Sequence, residues 1–200
     1  MNNQQKWGAK DVISVVLFSL ILIVVQFAIS TVTTVSMFAS AVIAFALMGL
    51  FAAPIYFLMV SKINKRGVSL VYSLMLGSLY FFMGHWSTIF WFLFIGIVSE
   101  AILWKEDSCL DGKKITLAWI LQAVLHIGVN VLSLIAFWDD YVITAQSQGM
   151  ELDYINAYAS YYQSPMWLSI IIVLTTVGAY VGTIMGRKML KKHFEKAGVL

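Results

Sequence analysis

Few residues in this chain have much chemistry to offer, and they lie far apart. The segment 139–164 carries Asp139, Asp140, Glu151 and Asp153, no Lys or Arg, and five of the nine tyrosines: Tyr141, Tyr154, Tyr158, Tyr161 and Tyr162. A phenol offers a flat apolar face and a hydrogen-bonding rim, which suits the capture of a small conjugated molecule. Leu152, Ile155 and Tyr158, with Tyr162 a turn later, share one helical face. That pattern predicts either an amphipathic lid over the mouth of a bundle or an interfacial helix resting on lipid. His85, between Gly84 and Trp86, is either a donor or ligand for something arriving from outside or a solvated loop residue. His126 and Asn130 are four apart in an apolar stretch, and Gln122 continues their face. Polar groups at that depth need partners, so they turn toward an interhelical hydrogen bond or a cavity. Glu100 is the only carboxylate well inside an apolar stretch; the expected partner is Lys62 or Lys105.

No His-Glu-x-x-His, nucleophile elbow, paired carboxylates or phosphate-binding loop occurs, so neither catalysis nor a resident cofactor or metal is expected. Sixty per cent of residues are hydrophobic and twelve per cent charged, which excludes an ordinary soluble domain. Six apolar stretches follow one another, approximately 12–29, 37–60, 68–83, 88–104, 115–138 and 165–186, with 139–164 as the longest connection. All thirteen Lys and Arg fall before the first stretch, between the second and third, between the fourth and fifth, or after the sixth. Basic residues near span ends stay in the cytoplasm, so this alternation predicts an all-α, multi-pass cell-membrane protein. Its form is a single six-helix bundle with both termini inside. Trp7, Trp104 and Trp119 are expected at the inner interface and Trp86, Trp138 and Trp167 at the outer one. The net charge of +3 serves this topology rather than nucleic-acid binding. Gly178, Gly182 and Gly186 line one face of the last stretch, and Ser69, Ser73 and Gly77 one face of the third. Such stripes permit close packing, within the bundle or against a partner's helix.

Several strings resemble a known family. They are Lys10-Asp11-Val12-Ile13, KINKRG at 62–67, Gly84-His85-Trp86, Gly96 with Glu100, and above all the tail GRKMLKKHFEKAGV at 186–199. With the threading and length, they resemble the substrate-binding S-components of energy-coupling factor (ECF) transporters, in the MptD or Trep_Strep group. The resemblance covers essentially the whole chain. It implies six helices that capture a vitamin-like or cofactor-like micronutrient outside. A membrane coupling subunit (EcfT type) and two cytoplasmic ATPases then drive its delivery, the S-component toppling within the bilayer. It also implies a small-residue contact with the coupling subunit on the first helix, to which Val15 and Ser19 come nearest. The pocket lies among the outer helix ends, which implicates His85, Trp86, His126, Asn130, Trp138, Tyr141, Tyr158, Tyr161 and Tyr162. A metal-ion substrate is not expected, because the cobalt and nickel branch uses an N-terminal Met-x-His chelate and this chain reads Met1-Asn2-Asn3. The acidic outer loop disfavours strongly anionic ligands, and the aromatics favour a flat one such as a pterin, a purine-like base or a tetrapyrrole. Haem, ligated by His85 and outer methionines, ranks below a vitamin-like base. The alternatives are a stand-alone secondary transporter, which needs coupling charges in mid-membrane, and a membrane scaffold protein.

Overall fold

The computed structural model describes residues 6–105 and 107–196, with side chains through Met189. The Met1-Asn2-Asn3 string and the side chains of Lys191, Lys192 and Lys196 lie outside the described residues. Helix α1 (Ala9–Thr33) opens where the Gly8 amide donates to Asp11 Oδ2 at 3.0 Å, an acid at the positive helix end. A π-helical segment, Ala39–Ile43, runs directly into α2 (Ala44–Ile63). Asn64 (φ 47°) and Gly67 (φ 94°) adopt left-handed conformations, so KINKRG reverses the chain within a few residues into α3 (Val68–Phe82). Helix α4 (Thr88–Leu103) follows. The Asp111 carboxylate then caps α5 (Gly112–His126), accepting the Lys113 and Lys114 amides at 2.8 and 3.4 Å.

The fifth apolar stretch is not one straight helix. It passes from α5 through a break at Ile127 into the short α6 (Gly128–Val131) and a second π-helical segment, Leu132–Ala136. Trp91 of α4 occupies the space that a side chain on Gly128 would fill, and donates its indole N–H to the Leu125 carbonyl at 2.8 Å. The segment 139–164, read as a loop with one amphipathic portion, forms two helices: α7 (Trp138–Ser147) and α8 (Leu152–Gln163). Ile155, Ala159 and Tyr162 are the buried face of α8, whereas Leu152 is exposed. Last comes α9 (Pro165–Lys196).

Among the described residues, four helical runs are long and apolar enough to cross a membrane: Ala9–Thr33, Ala39–Ile63, Gly112–Ala136 and Pro165–Met189. Helices α3 and α4 are apolar but shorter, at 15 and 16 residues. Helix α2 sits at the centre, with α1, α9 and α5 packed around it. The glycine stripe closes α9 onto α2. A side chain on Gly178 would strike the Ala46 carbonyl, and one on Gly182 the Leu50 carbonyl. Backbones this close exclude lipid and leave no stripe for another chain.

Three expectations are corrected by the packing. Val15 and Ser19 are 1% and 0% exposed, with the Ser19 hydroxyl turned to Met59 Sδ at 4.0 Å; they face α2, not a partner. The outward face of α1 instead reads Val12, Ile13, Leu17, Leu20, Ile21 and Val24. Trp119 is no interfacial residue: it is fully buried and donates to the Gly49 carbonyl at 2.9 Å. Glu100 pairs with neither Lys62 nor Lys105. Its Oε1 accepts the Gly67 amide at 2.5 Å, while its Oε2 is buried without a hydrogen-bond partner. It thus caps α3 from another helix, because Gly67 has no side chain to do so.

Candidate functional site

The basic connections converge on one end of the bundle. Trp7 donates to the Arg66 carbonyl at 3.0 Å and Arg66 Nε to the Trp104 carbonyl at 2.7 Å. Lys65 lies 4.0 Å from Asp11, and Arg187 donates to the Gly112 carbonyl and the Thr116 hydroxyl, each at 2.6 Å. At the opposite end the ends of α1 and α3, the two π-helical segments and the α7–α8 pair surround a cavity of about 220 Å³. Ser30 and Thr34 come from α1 and its cap, Ser40 from the first π-helical segment, and Tyr80 and His85 from α3 and the turn after it. Asn130 and Ser133 come from the broken fifth stretch, and Tyr141, Met150, Tyr154 and Tyr158 from the lid. Among the described residues, Lys, Arg, Asp and Glu are all missing from this lining.

Hydrogen bonds between lid and bundle hold the cavity in shape. Tyr162 donates to the Ala41 carbonyl at 3.0 Å, Gln148 to the Met83 carbonyl at 3.3 Å, and Trp86 to Asp140 Oδ2 at 3.3 Å. Asn130 Nδ2 donates to the Tyr158 hydroxyl at 2.9 Å, which stands 3.2 Å from the Tyr162 hydroxyl. The His85 and Tyr141 rings stack at 6.0 Å, and those of Tyr154 and Tyr158 at 6.4 Å. Burial raises the Tyr141 and Tyr158 phenols above their ordinary range and carries Tyr162 to about 12, so all three are neutral donors. Burial likewise lowers His85 below its usual 6.5. A neutral imidazole both donates and accepts, which an imidazolium does not.

That shift has a consequence for stability. Between the folded and unfolded values the unfolded chain binds a proton at His85 that the folded chain refuses, so stability falls as pH drops below about 6.5. The melting temperature is expected to decline from about pH 7 to about pH 5, and His85→Gln to flatten that decline. An equally steep decline in the variant would assign the effect to other groups.

Of the residues expected at the site, His85, Asn130, Tyr141 and Tyr158 line the cavity. Trp86 stands in an adjoining crevice with Phe137 and Asp140, and Trp138 packs against the apolar cluster around Phe45, Leu134 and Tyr162. Tyr161 sets its ring against Trp167 at 5.3 Å, while Tyr162 is buried beneath the lid. His126 is one layer deeper, between Phe45 and Phe92, with Nε2 3.5 Å from the Tyr80 hydroxyl. Gln122, on the same face, donates to the Ser73 hydroxyl at 2.7 Å. Tyr154, one of the five tyrosines of the 139–164 segment, lines the cavity too; the lining residues that sequence reasoning passed over are mainly Tyr80, Ser133 and the hydroxyls of Ser30, Thr34 and Ser40. Spacing could have found some: Ser30 and Thr34 are one turn apart, and Ser133 follows Asn130 on the same face.

Comparison with known proteins adds one finding. A family model described as "Hypothetical bacterial integral membrane protein (Trep_Strep)" matches residues 9–196. The chain belongs to the Trep_Strep family. No curated protein and no solved structure matches it. Membership together with the long apolar helices makes this Trep_Strep protein an integral, multi-pass membrane protein.

Proposed function

We propose that this Trep_Strep protein is the substrate-binding subunit of an ECF-type importer, taking a vitamin-like or cofactor-like molecule from outside. In this reading it crosses the cell membrane six times, with both termini in the cytoplasm. A coupling subunit and two ATPases supply the work. The observation that carries the reading is the uncharged, tyrosine-rich cavity at the end of the bundle away from the basic connections. Helices α3 and α4 reach only about 23 Å, less than a bilayer core of about 30 Å. Thinning of the bilayer around them, together with the turn at 83–87, makes up the difference.

The rival readings are weakened by how the chain spends its polar and small residues. A proton-coupled carrier needs a carboxylate in mid-membrane, whereas Glu100, whose Oε1 accepts the Gly67 amide and whose Oε2 is unpaired, stands at the end of the bundle with the basic connections. A scaffold would offer its glycine stripe to a partner, and that stripe is consumed by α2.

The test is mass spectrometry of small molecules that co-purify with the detergent-solubilised protein, wild type against a His85→Ala, Asn130→Ala double variant. A stoichiometric compound present in the wild type and lost in a folded variant is expected. A compound retained by the variant would move the site elsewhere. No compound, and no coupling subunit in a pull-down from the native membrane, would remove the proposal.

A further inference from the structure

Beneath the main cavity lies a second, smaller one of about 20 Å³, walled by Gln26, Phe27, Ser30, Met48, Leu76 and Tyr80. Ser30 and Tyr80 belong to both, so the two spaces adjoin. The smaller has room for one polar group about the size of a water molecule. Gln26 is 5% exposed, and its Oε1 has no hydrogen-bond partner. Its neighbours in that cavity are apolar but for the Ser30 hydroxyl and the Tyr80 phenol. The buried Tyr72 hydroxyl of α3, likewise without a well-formed bond, is a further polar group against the amide. Buried polar atoms are almost always paired, and two left short of a bond inside an apolar bundle are costly to keep. An amide acceptor left short of a bond in a small cavity that adjoins a ligand-sized one is therefore placed to recognise a group reaching in from that larger space.

Resting on the binding-protein reading above, we propose that Gln26 reads the hydrogen-bonding edge of a neutral, planar nitrogen heterocycle. A carboxamide presents one donor and one acceptor side by side. The smaller cavity admits one polar group, and the complement to the open Oε1 is the N–H of a lactam or amino-substituted ring. The ring body then lies in the main cavity among Tyr80, Tyr141, Tyr154 and Tyr158, as bases lie on aromatic side chains elsewhere. Neither lining contains a charged side chain, so nothing there pairs with a carboxylate, a phosphate or a quaternary amine. Asp139, Asp140, Glu151 and Asp153, exposed on the lid helices and their connection, repel anions further. Haem meets this chemistry badly, because its two propionates would find no cation in the lining.

The test is calorimetric titration of the purified full chain with hypoxanthine, cytosine and unsubstituted pterin, each beside the analogue methylated at the lactam or amino nitrogen. At least one parent compound is expected to bind stoichiometrically, and its methylated analogue at least tenfold more weakly. Gln26→Met is expected to lose about the same factor for the parent and nothing more for the analogue. The analogue series on the wild type stands even if the variant does not fold. Failure of all three parents to bind, or equal binding by Gln26→Met, overturns the assignment. If a compound of different chemistry co-purifies with the wild type, the binding function survives and only this inference falls. If nothing co-purifies and nothing binds, both fall.

Discussion

Gly182→Leu is expected to prevent accumulation of a monodisperse, folded protein. A Cβ at this position already overlaps the Leu50 carbonyl and stands 2.7 Å from the Ala53 methyl. The obstacle is chiefly backbone, which no rotamer change relieves. Overpacking a core ordinarily costs about 1–3 kcal/mol, and a clash with a carbonyl on the central helix belongs at or above the upper end. Because α2 also carries α1 and α5, forcing α9 outward loosens the whole bundle. Size-exclusion profile and melting temperature in detergent, beside Val181→Leu on the exposed face, are the measurements. Unchanged behaviour of Gly182→Leu would mean that α9 and α2 are not in contact.

The second large effect is expected at Glu100. Glu100→Ala removes the acceptor at the start of α3, where a glycine in a left-handed conformation offers no substitute. Leaving the buried Gly67 amide unpaired costs about 1–3 kcal/mol. Glu100→Gln keeps one acceptor and is expected to lose clearly less. The effect should also reach the far end of the protein, since α3 carries Tyr80 and positions His85. Melting temperature and the amount of co-purified compound are therefore expected to fall together in Glu100→Ala. A fall in stability with an undisturbed ligand content would mean that α3 does not transmit the change.

The helical class and the apolar stretches were legible because a bilayer imposes long apolar runs and confines Lys and Arg to certain connections. Helix ends at Asn64, Gly67 and Asp111 also follow from local chemistry, a left-handed residue or a capping carboxylate. Facing was less legible. Helix α1 is apolar all round, so periodicity could not tell that Val15 and Ser19 turn inward while Leu17 and Leu20 turn out. The same uniformity hid Trp119, whose indole reads as an interfacial anchor until Gly49 is placed next to it.

The site was half legible for a related reason. Residues that are polar among apolar neighbours, His85 and Asn130, drew attention and do line the cavity. Tyr80 and the three hydroxyls of Ser30, Thr34 and Ser40 are ordinary in a membrane helix, where such groups usually bond to their own backbone. Their convergence depends on how α1, α3 and the first π-helical segment are juxtaposed, and no spacing along the chain records it. Glu100 shows the reverse case. The carboxylate was conspicuous, but its partner is a backbone amide that carries no signature in the sequence.

The two π-helical segments have a consequence for how such a protein can change over time. Each contributes one serine to the cavity, Ser40 and Ser133, and each joins a regular helix that packs deeper in the bundle. A wide turn of this kind absorbs an extra residue without disturbing the helix on either side. Loss of one residue there would restore a regular helix and change which residue stands at the wide turn, while the helix on either side keeps its facing. Ser40 or Ser133 would leave the opening and a neighbour would take its place, while the Trp119–Gly49 contact kept its register. Single-residue insertions and deletions, ordinarily ruinous in a membrane helix, thereby become a way to alter what the cavity accepts while sparing the half of the bundle that holds the fold.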